Sequence, residues 1–280
     1  MSNISGNAPS STSSPLLAID DVTVRFAGVV ALANVSFQVH SGQLFAVIGP
    51  NGAGKTSLLN VLTRVYQPTS GRVSFAGSDL LRLQMHQIAR TGIARTFQNL
   101  GQFPMTTVMD YLLLGRHSRM RSNVLLGGIY LGLTATEERK NRAYCAHLLQ
   151  LLGLTRYQHA PLGTLPYGLQ KRADIARALA LEPKLLLLDE PVAGMGQEET
   201  QDIASVILDI NEQLGITQML VEHDMALVMG IADRVLVLDF GRIIAEGTPA
   251  EVQANPDVVK AYLGEDFGVL APDSGITSAE

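Results

Sequence analysis

The 280-residue sequence predicts an α/β fold in which a phosphate-binding loop joins a buried strand to a helix. Three observations carry this. Gly49, Pro50, Asn51, Gly52, Ala53, Gly54, Lys55 and Thr56 form a glycine-rich loop between the apolar run 43–48 and a helix-patterned stretch, 57–66, that opens with Ser57. The run 184–188 has the unbroken apolar character of a strand covered on both faces of a parallel sheet, and it delivers Asp189 and Glu190 at its end. Between these two lies a stretch from Thr107 to Leu152 whose apolar residues recur with helical period.

In chain order, Met1–Ser14 is rich in Ser, Asn and Pro, with neither a basic region nor an apolar core, so residues 1–15 read as a disordered tail and not a signal peptide. From Leu16 to Val39 the apolar residues partly alternate, which predicts an antiparallel strand pair ahead of the glycine-rich loop. Phe26, just before Ala27 and Gly28, is either an ordinary core aromatic or an exposed ring able to stack on a base. The loop itself is a P-loop: its glycines let successive N–H groups turn toward phosphates, Lys55 brings a charge to them, and Thr56 brings a hydroxyl for Mg²⁺. The helix after it points its positive end at the same anions. A nucleoside triphosphate, with Mg²⁺, is the ligand this implies.

Arg72–Phe75 reads as a short strand, and loop chemistry follows it from Ala76 and Gly77 up to Gly92. The clearest helix of the insert is 136–152, with Glu137 and Glu138 in its first turn and Gly153 as its stop. Leu165–Arg172 reads as a loop ahead of an Ala/Leu-rich helix, 173–181, and with Gly168 it offers a second anion site, one that would serve a nucleotide held by another subunit. Asp189 and Glu190, being adjacent, point to different sides. Asp189 suits Mg²⁺ through its water shell, and Glu190 suits polarising the attacking water. An amphipathic helix closes at Gly215, the strand 217–221 ends at Glu222, His223 and Asp224, and 234–239 with 242–246 reads as a hairpin.

Composition narrows the class. No apolar run approaches the roughly 18 residues of a membrane span, so any span must come from other chains. A net charge of −5 argues against nucleic acid as a partner. Between Leu80 and Thr136, Arg82, Arg90, Arg95, Arg116, Arg119 and Arg121 face a single acid, Asp110, which reads either as a solvated face or as a surface near anionic lipid. The lone Cys145 excludes a disulfide framework and suits a reducing cytosol, and the remaining histidines show no metal-ligand spacing.

Phe26, the loop 49–56, Gln98, the stretch 165–170, the run 185–190 and His223 occur in the order and spacing of the ATP-binding subunit of ABC transporters, and the chain resembles that family over nearly its whole length. The segments 115–136, 222–230 and 247–265 are similar to the LivG-type branched-chain amino acid importers; the last is also similar to the lipopolysaccharide-export ATPase, so a related system for lipopolysaccharide export or urea/amide import is the alternative, and the insert favours the amino-acid branch. The resemblance implies a P-loop NTPase (RecA-like) core with an antiparallel β subdomain and an inserted α-helical subdomain at about 93–180, the whole domain running 16–264 with a tail at 265–280. It implies that Phe26 stacks on adenine, that Gln98 senses Mg²⁺ and couples to membrane subunits, that Glu190 is the catalytic base and that His223 contacts the γ-phosphate. It further implies a second ATPase subunit, two membrane permease subunits, a solute-binding protein met indirectly, and a peripheral place on the cytoplasmic face of the cell membrane. Pro166, Tyr167 and Leu169 depart from the family's Leu-Ser-Gly-Gly-Gln signature, and 193–196 lacks its usual Asp; both imply an asymmetric pair with a different but similar chain. A soluble ABC-type ATPase acting on DNA or ribosomes would need a long coiled-coil insert or fused tandem ATPase domains, together with a basic surface, and the chain shows none of these; to a P-loop kinase or GTPase the segment at Leu165 and His223 are foreign, and no Asn-Lys-x-Asp motif is present.

Overall fold

The computed structural model describes residues 14–97, 103–117 and 131–262, the side chains of 131–135 excepted. Gln98, Arg119, Arg121, much of the 115–136 insert and the predicted tail 265–280 lie outside the described residues, as does nearly all of the predicted tail 1–15.

Two sheets organise the chain. The smaller has the order β2-β1-β4-β5, from β1 (Leu17–Phe26), β2 (Val29–Val39), β4 (Ser70–Phe75) and β5 (Ser78–Asp79). Its pairings are all antiparallel, as the alternation in 16–39 predicts. The larger has the order β10-β9-β3-β8-β7-β6, from β3 (Leu44–Ile48), β6 (Ile93–Arg95), β7 (Leu185–Asp189), β8 (Thr217–Val221), β9 (Arg234–Asp239) and β10 (Arg242–Gly247). Its pairings are parallel except for the closing β9–β10 hairpin.

Every residue of β3, β7 and β8 is buried, because each strand has a core on both faces. Phe45, Val47, Leu185, Leu187, Met219 and Val221 face the small sheet, with α1 (Lys55–Leu62) packed between the two sheets through Leu58, Leu59, Val61 and Leu62. Leu44, Ala46, Ile48, Leu186, Leu188 and Leu220 face the opposite way, onto α3 (Val108–Arg116), α4 (Leu131–Leu151), α5 (Tyr167–Leu179), α6 (Gln197–Leu214) and α7 (Met225–Ile231). Each such leucine contributes about 1.5–3 kcal/mol, so the strand ends that carry chemistry are held by the best-packed part of the molecule. The short helices α8 (Pro249–Gln253) and α9 (Pro256–Tyr262) close the described chain.

Several expectations need correction. The stretch expected to be loop between Gly77 and Gly92 contains α2 (Met85–Thr91), started by a reciprocal capping box of Gln84 and Gln87. The α1 helix stops at Leu62 and not at Tyr66; Thr63 turns its hydroxyl back onto the Leu59 carbonyl and Arg64 takes φ 60°. The α4 helix begins at Leu131, so Glu137 and Glu138 are not its first turn, and Glu138 instead pairs with Arg142 one turn on. The α5 helix begins at Tyr167 and not at Ala173, which puts Gly168 inside its first turn. Among the described arginines of 80–136, Arg116 turns onto Asn141 and the Ala180 carbonyl and Arg95 turns into the site, so these two leave the solvated face, whereas Arg82, beside Asp79, and Arg90 stay exposed.

Candidate functional site

The glycine-rich loop leaves the C-terminal end of β3 and is braced from two sides. A Cβ on Gly49 would lie 2.1 Å from the Leu238 carbonyl oxygen, and one on Gly54 would lie 2.6 Å from that of Ala31. Both residues also hold positive φ, 150° and 105°, so only glycine fits. The Gly241 N–H of the β9–β10 turn donates to the Ala53 carbonyl (2.9 Å), which fixes the loop's far side. Lys55, the first residue of α1, is buried and donates to the Gly49 and Pro50 carbonyls. No side chain caps the start of α1. The positive end of α1 therefore faces the glycine-rich loop, where an anion is favoured.

Asp189 and Glu190 leave β7, two strands from β3 and next to β8. Asp189 is almost wholly buried, and its Oδ2 accepts from Arg95 at 2.7 Å. The same guanidinium donates to Asn60 Oδ1 at 2.8 Å. Asn60 lies one helical turn after Thr56 on α1, so the two share a face. Arg95 therefore ties the Asp189 carboxylate to the helix face that carries the Thr56 hydroxyl. These are hard oxygen donors, which suit Mg²⁺. Glu190 turns the chain at φ 46°, a strained position for a side chain of this size, and its N–H donates to the Val221 carbonyl at the end of β8. His223 follows β8 with its side chain largely exposed. The loop, Asp189, Glu190 and His223 thus sit at the carboxyl ends of β3, β7 and β8, where open α/β sheets collect ligands.

Phe26 and Gly168 stand farther out. The Phe26 ring is half-exposed and meets Tyr66 edge to face at 4.8 Å, so it is not a core aromatic. Gly168 faces Glu199 of α6, whose Oε1 would be 3.2 Å from an added Cβ.

The sequence reading left two features of the site without a role. Glu222 is fully buried; its Oε1 accepts from the Val192 N–H and its Oε2 from the His223 N–H, both at 3.0 Å. It therefore links the segment after Glu190 to the segment carrying His223. Burial pushes its carboxyl above the usual range, opposed by those N–H bonds. The second feature is the pair Asp174 and Arg177 on α5. Asp174 accepts from the Phe97 N–H, the Tyr111 hydroxyl and Arg177; Arg177 also donates to the Arg95 carbonyl and lies over the Phe97 ring. Burial, and then the Asp174 charge, hold the Tyr111 phenol far above its ordinary value. The available signal was charge at every third position, Lys171, Asp174 and Arg177, in a helix otherwise rich in Ala and Leu.

Comparisons with known proteins place this geometry. The family model described as ABC transporter matches residues 32–193, and that described as branched-chain amino acid ATP-binding cassette transporter matches 242–268. The chain is 42% identical over 253 residues to the high-affinity branched-chain amino acid transport ATP-binding protein BraF of Pseudomonas aeruginosa, covering 90% of this chain and 99% of that protein. It is 39% identical over 260 residues to LivG of Escherichia coli K12, again covering 90% and 99%. Among solved structures, a nucleotide-free ATP-binding cassette of an ABC transporter superposes with a TM-score of 0.78 at 31% identity, covering 90% of this chain and all of that one. The ADP conformation of MJ1267, an ATP-binding cassette of an ABC transporter, gives 0.79 at 30% identity, with the same coverage. With its two-sheet core, its braced phosphate loop and its paired carboxylates, the chain belongs to the ABC transporter ATP-binding family.

Proposed function

We propose that this chain is the ATP-hydrolysing subunit of an importer for branched-chain amino acids. The observation that carries the chemistry is the gathering of the loop 49–56, Asp189, Glu190 and His223 at adjacent strand ends. The likeness to BraF and LivG over nearly their full length carries the substrate class.

Phosphates lie against the loop's N–H groups and the start of α1, with Ser57 in that first turn and Lys55 leaving its loop carbonyls to meet the β- and γ-phosphates. Thr56 and Asp189 are the residues that would hold Mg²⁺, which when bound offsets charge on the transferring group. Glu190 orients a water against the γ-phosphorus. The water oxygen bonds to phosphorus, the bridging oxygen leaves with ADP, and the water's proton passes to Glu190. His223 stabilises the γ-phosphoryl oxygens, Phe26 stacks on adenine, and Gln98 joins the metal site to the membrane subunits.

The domain spans 16–264, flanked by tails at 1–15 and 265–280, and the helical insert occupies about 93–180; β6 at its start belongs to the large sheet and α3–α5 are its helices. The first turn of α5, with Gly168, closes over a nucleotide held by a second ATPase chain. Pro166, Tyr167 and Leu169 bring no aliphatic hydroxyl there, and the Glu199 carboxylate stands beside Gly168. Both disfavour a phosphate at that face, which supports a pair with a different, similar subunit. Among the described residues no helix is long and apolar enough to cross a membrane, so two permease subunits supply the span. The pair docks peripherally on them at the cytoplasmic face, and a solute-binding protein delivers the cargo on the other side.

The test is ATP turnover and dimerisation of the purified chain, wild type beside Glu190→Gln, with and without a co-expressed partner ATPase and permease. Glu190→Gln is expected to abolish turnover and to trap an ATP-bound dimer. Turnover indifferent to Glu190→Gln refutes the mechanism. Full activity of the chain as a homodimer refutes the asymmetric pair.

A further inference from the structure

We infer that Arg95 is a positioning residue for the metal corner: it holds Asp189 in the absence of Mg²⁺ and thereby sets how strongly nucleotide binding depends on that ion. This rests on the nucleotide-site reading above.

Arg95 ends β6, beside β7, and its side chain is mostly buried. One guanidinium nitrogen meets Asp189 Oδ2 at 2.7 Å and another meets Asn60 Oδ1 at 2.8 Å. Asp189 is 3% exposed and its N–H is already committed to Thr96 Oγ1 (3.1 Å). The carboxylate is thus cut off from water and paired with the Arg95 guanidinium. A divalent cation arriving at Asp189 must share the carboxylate with the guanidinium and sit against its charge.

Two consequences follow, of opposite sign. Without metal, Arg95 masks the Asp189 charge from the phosphates of free ATP and so favours metal-free nucleotide. With metal, the same charge opposes Mg²⁺. Both effects compress the difference between nucleotide binding with and without Mg²⁺.

The placement of Arg95 is itself dictated by α5. Arg177 donates to the Arg95 carbonyl at 2.8 Å, and Asp174 accepts from the Phe97 N–H at 2.6 Å. Residues 95–97 are therefore gripped by the metal carboxylate on one side and by the helix that begins at Tyr167 on the other. Any shift of α5 that drags these residues moves the guanidinium along Asp189.

The experiment is titration of the full chain with a fluorescent ATP analogue, once in excess Mg²⁺ and once in EDTA, for wild type, Arg95→Met and Arg95→Lys. The readout is the ratio of the two affinities, together with the melting temperature. Arg95→Met is expected to raise the ratio about tenfold or more, by weakening binding in EDTA and strengthening the response to Mg²⁺. Arg95→Lys keeps the charge and should stay near wild type. If Arg95→Met does not fold, Arg95→Gln, which can still bond Asn60, is expected to show the same rise. An unchanged ratio, or equal loss of both affinities with a lower melting temperature, would mark Arg95 as a structural strut and overturn the inference. Failure of the wild type to bind nucleotide in either condition overturns the nucleotide-site reading instead.

Discussion

Asp174 offers a perturbation whose cost can be worked out atom by atom. Its Oδ1 accepts from Arg177 Nε at 2.8 Å and from the Tyr111 hydroxyl at 2.9 Å, while its Oδ2 accepts from the Phe97 N–H at 2.6 Å. The side chain has no exposure to water, and Arg177 has almost none. In Asp174→Asn, the amide oxygen can replace Oδ1 toward Arg177 and Tyr111, but the amide NH₂ must then face the Phe97 N–H, donor against donor. The buried guanidinium also loses its counter-charge. Breaking one side of a buried pair costs about 3–5 kcal/mol, and for a chain of this size that lowers the melting temperature by roughly 5–9 °C. Tyr111→Phe is the control. It removes one donor and leaves the ion pair whole, so it should cost about 1.5–3 kcal/mol. The assay is urea unfolding of wild type, both single variants, and Asp174→Asn combined with Arg177→Met. The double variant should cost clearly less than the sum of its parts, because it leaves no unpaired charge. A cost below about 1 kcal/mol for Asp174→Asn, or one smaller than that of Tyr111→Phe, would refute the view that this carboxylate organises the network.

Three further outcomes follow from the same structure. Gly54→Ala places a Cβ 2.6 Å from the Ala31 oxygen at φ 105°, and the resulting shift of the loop should weaken nucleotide binding about tenfold or more, read by fluorescence titration. Cys145 is buried and its thiol is pushed up to about 11, so native protein at mildly alkaline pH should resist iodoacetamide while urea-unfolded protein is alkylated quickly. Burial raises the Glu222 carboxyl above its ordinary 4.5. Between that value and the higher folded pKa the folded chain then holds proton that the unfolded chain has released, so this group's contribution to stability grows as pH falls and is lost as pH rises through the folded pKa. Wild type should therefore gain stability relative to Glu222→Gln as pH falls from neutrality toward 4.5, and parallel unfolding curves over that range would contradict it.

What was legible in the sequence was whatever a sheet buried on both faces forces into local pattern. The run 184–188 can only be an interior strand, and a residue placed directly after such a strand has its position decided by the sheet. Asp189 and Glu190 could therefore be assigned to one edge before their contacts were known, whereas His223 was named from the family's order of motifs. The glycines of 49–54 were legible for a related reason: a backbone that must approach Leu238 and Ala31 so closely tolerates nothing larger. Element starts were less so. Pro166 ahead of Tyr167 invites a loop reading of 165–172, yet its fixed φ suits the entry to a helix, and the later polar residues Gln170, Lys171 and Arg172 disguised α5's first turns.

The arginines of 80–136 show why the remainder of the site stayed hidden. A count of charge along the chain carries no direction, and at that level Arg95 and Arg82 are equivalent. Their fates differ because β6 abuts β7, which turns Arg95 toward a buried carboxylate, whereas Arg82 follows an edge strand into solvent. The partner that gives Arg95 its role is 94 residues away, and so is invisible to any window of helical or strand period. Asp174 and Phe97, 77 residues apart, pose the same problem. The polar contacts that tune the site join segments the sheet brings together late in the chain. Strand-end chemistry is thus inherited from local pattern, while the charge balance around it depends on strand order, and only the first of these can be read without the fold.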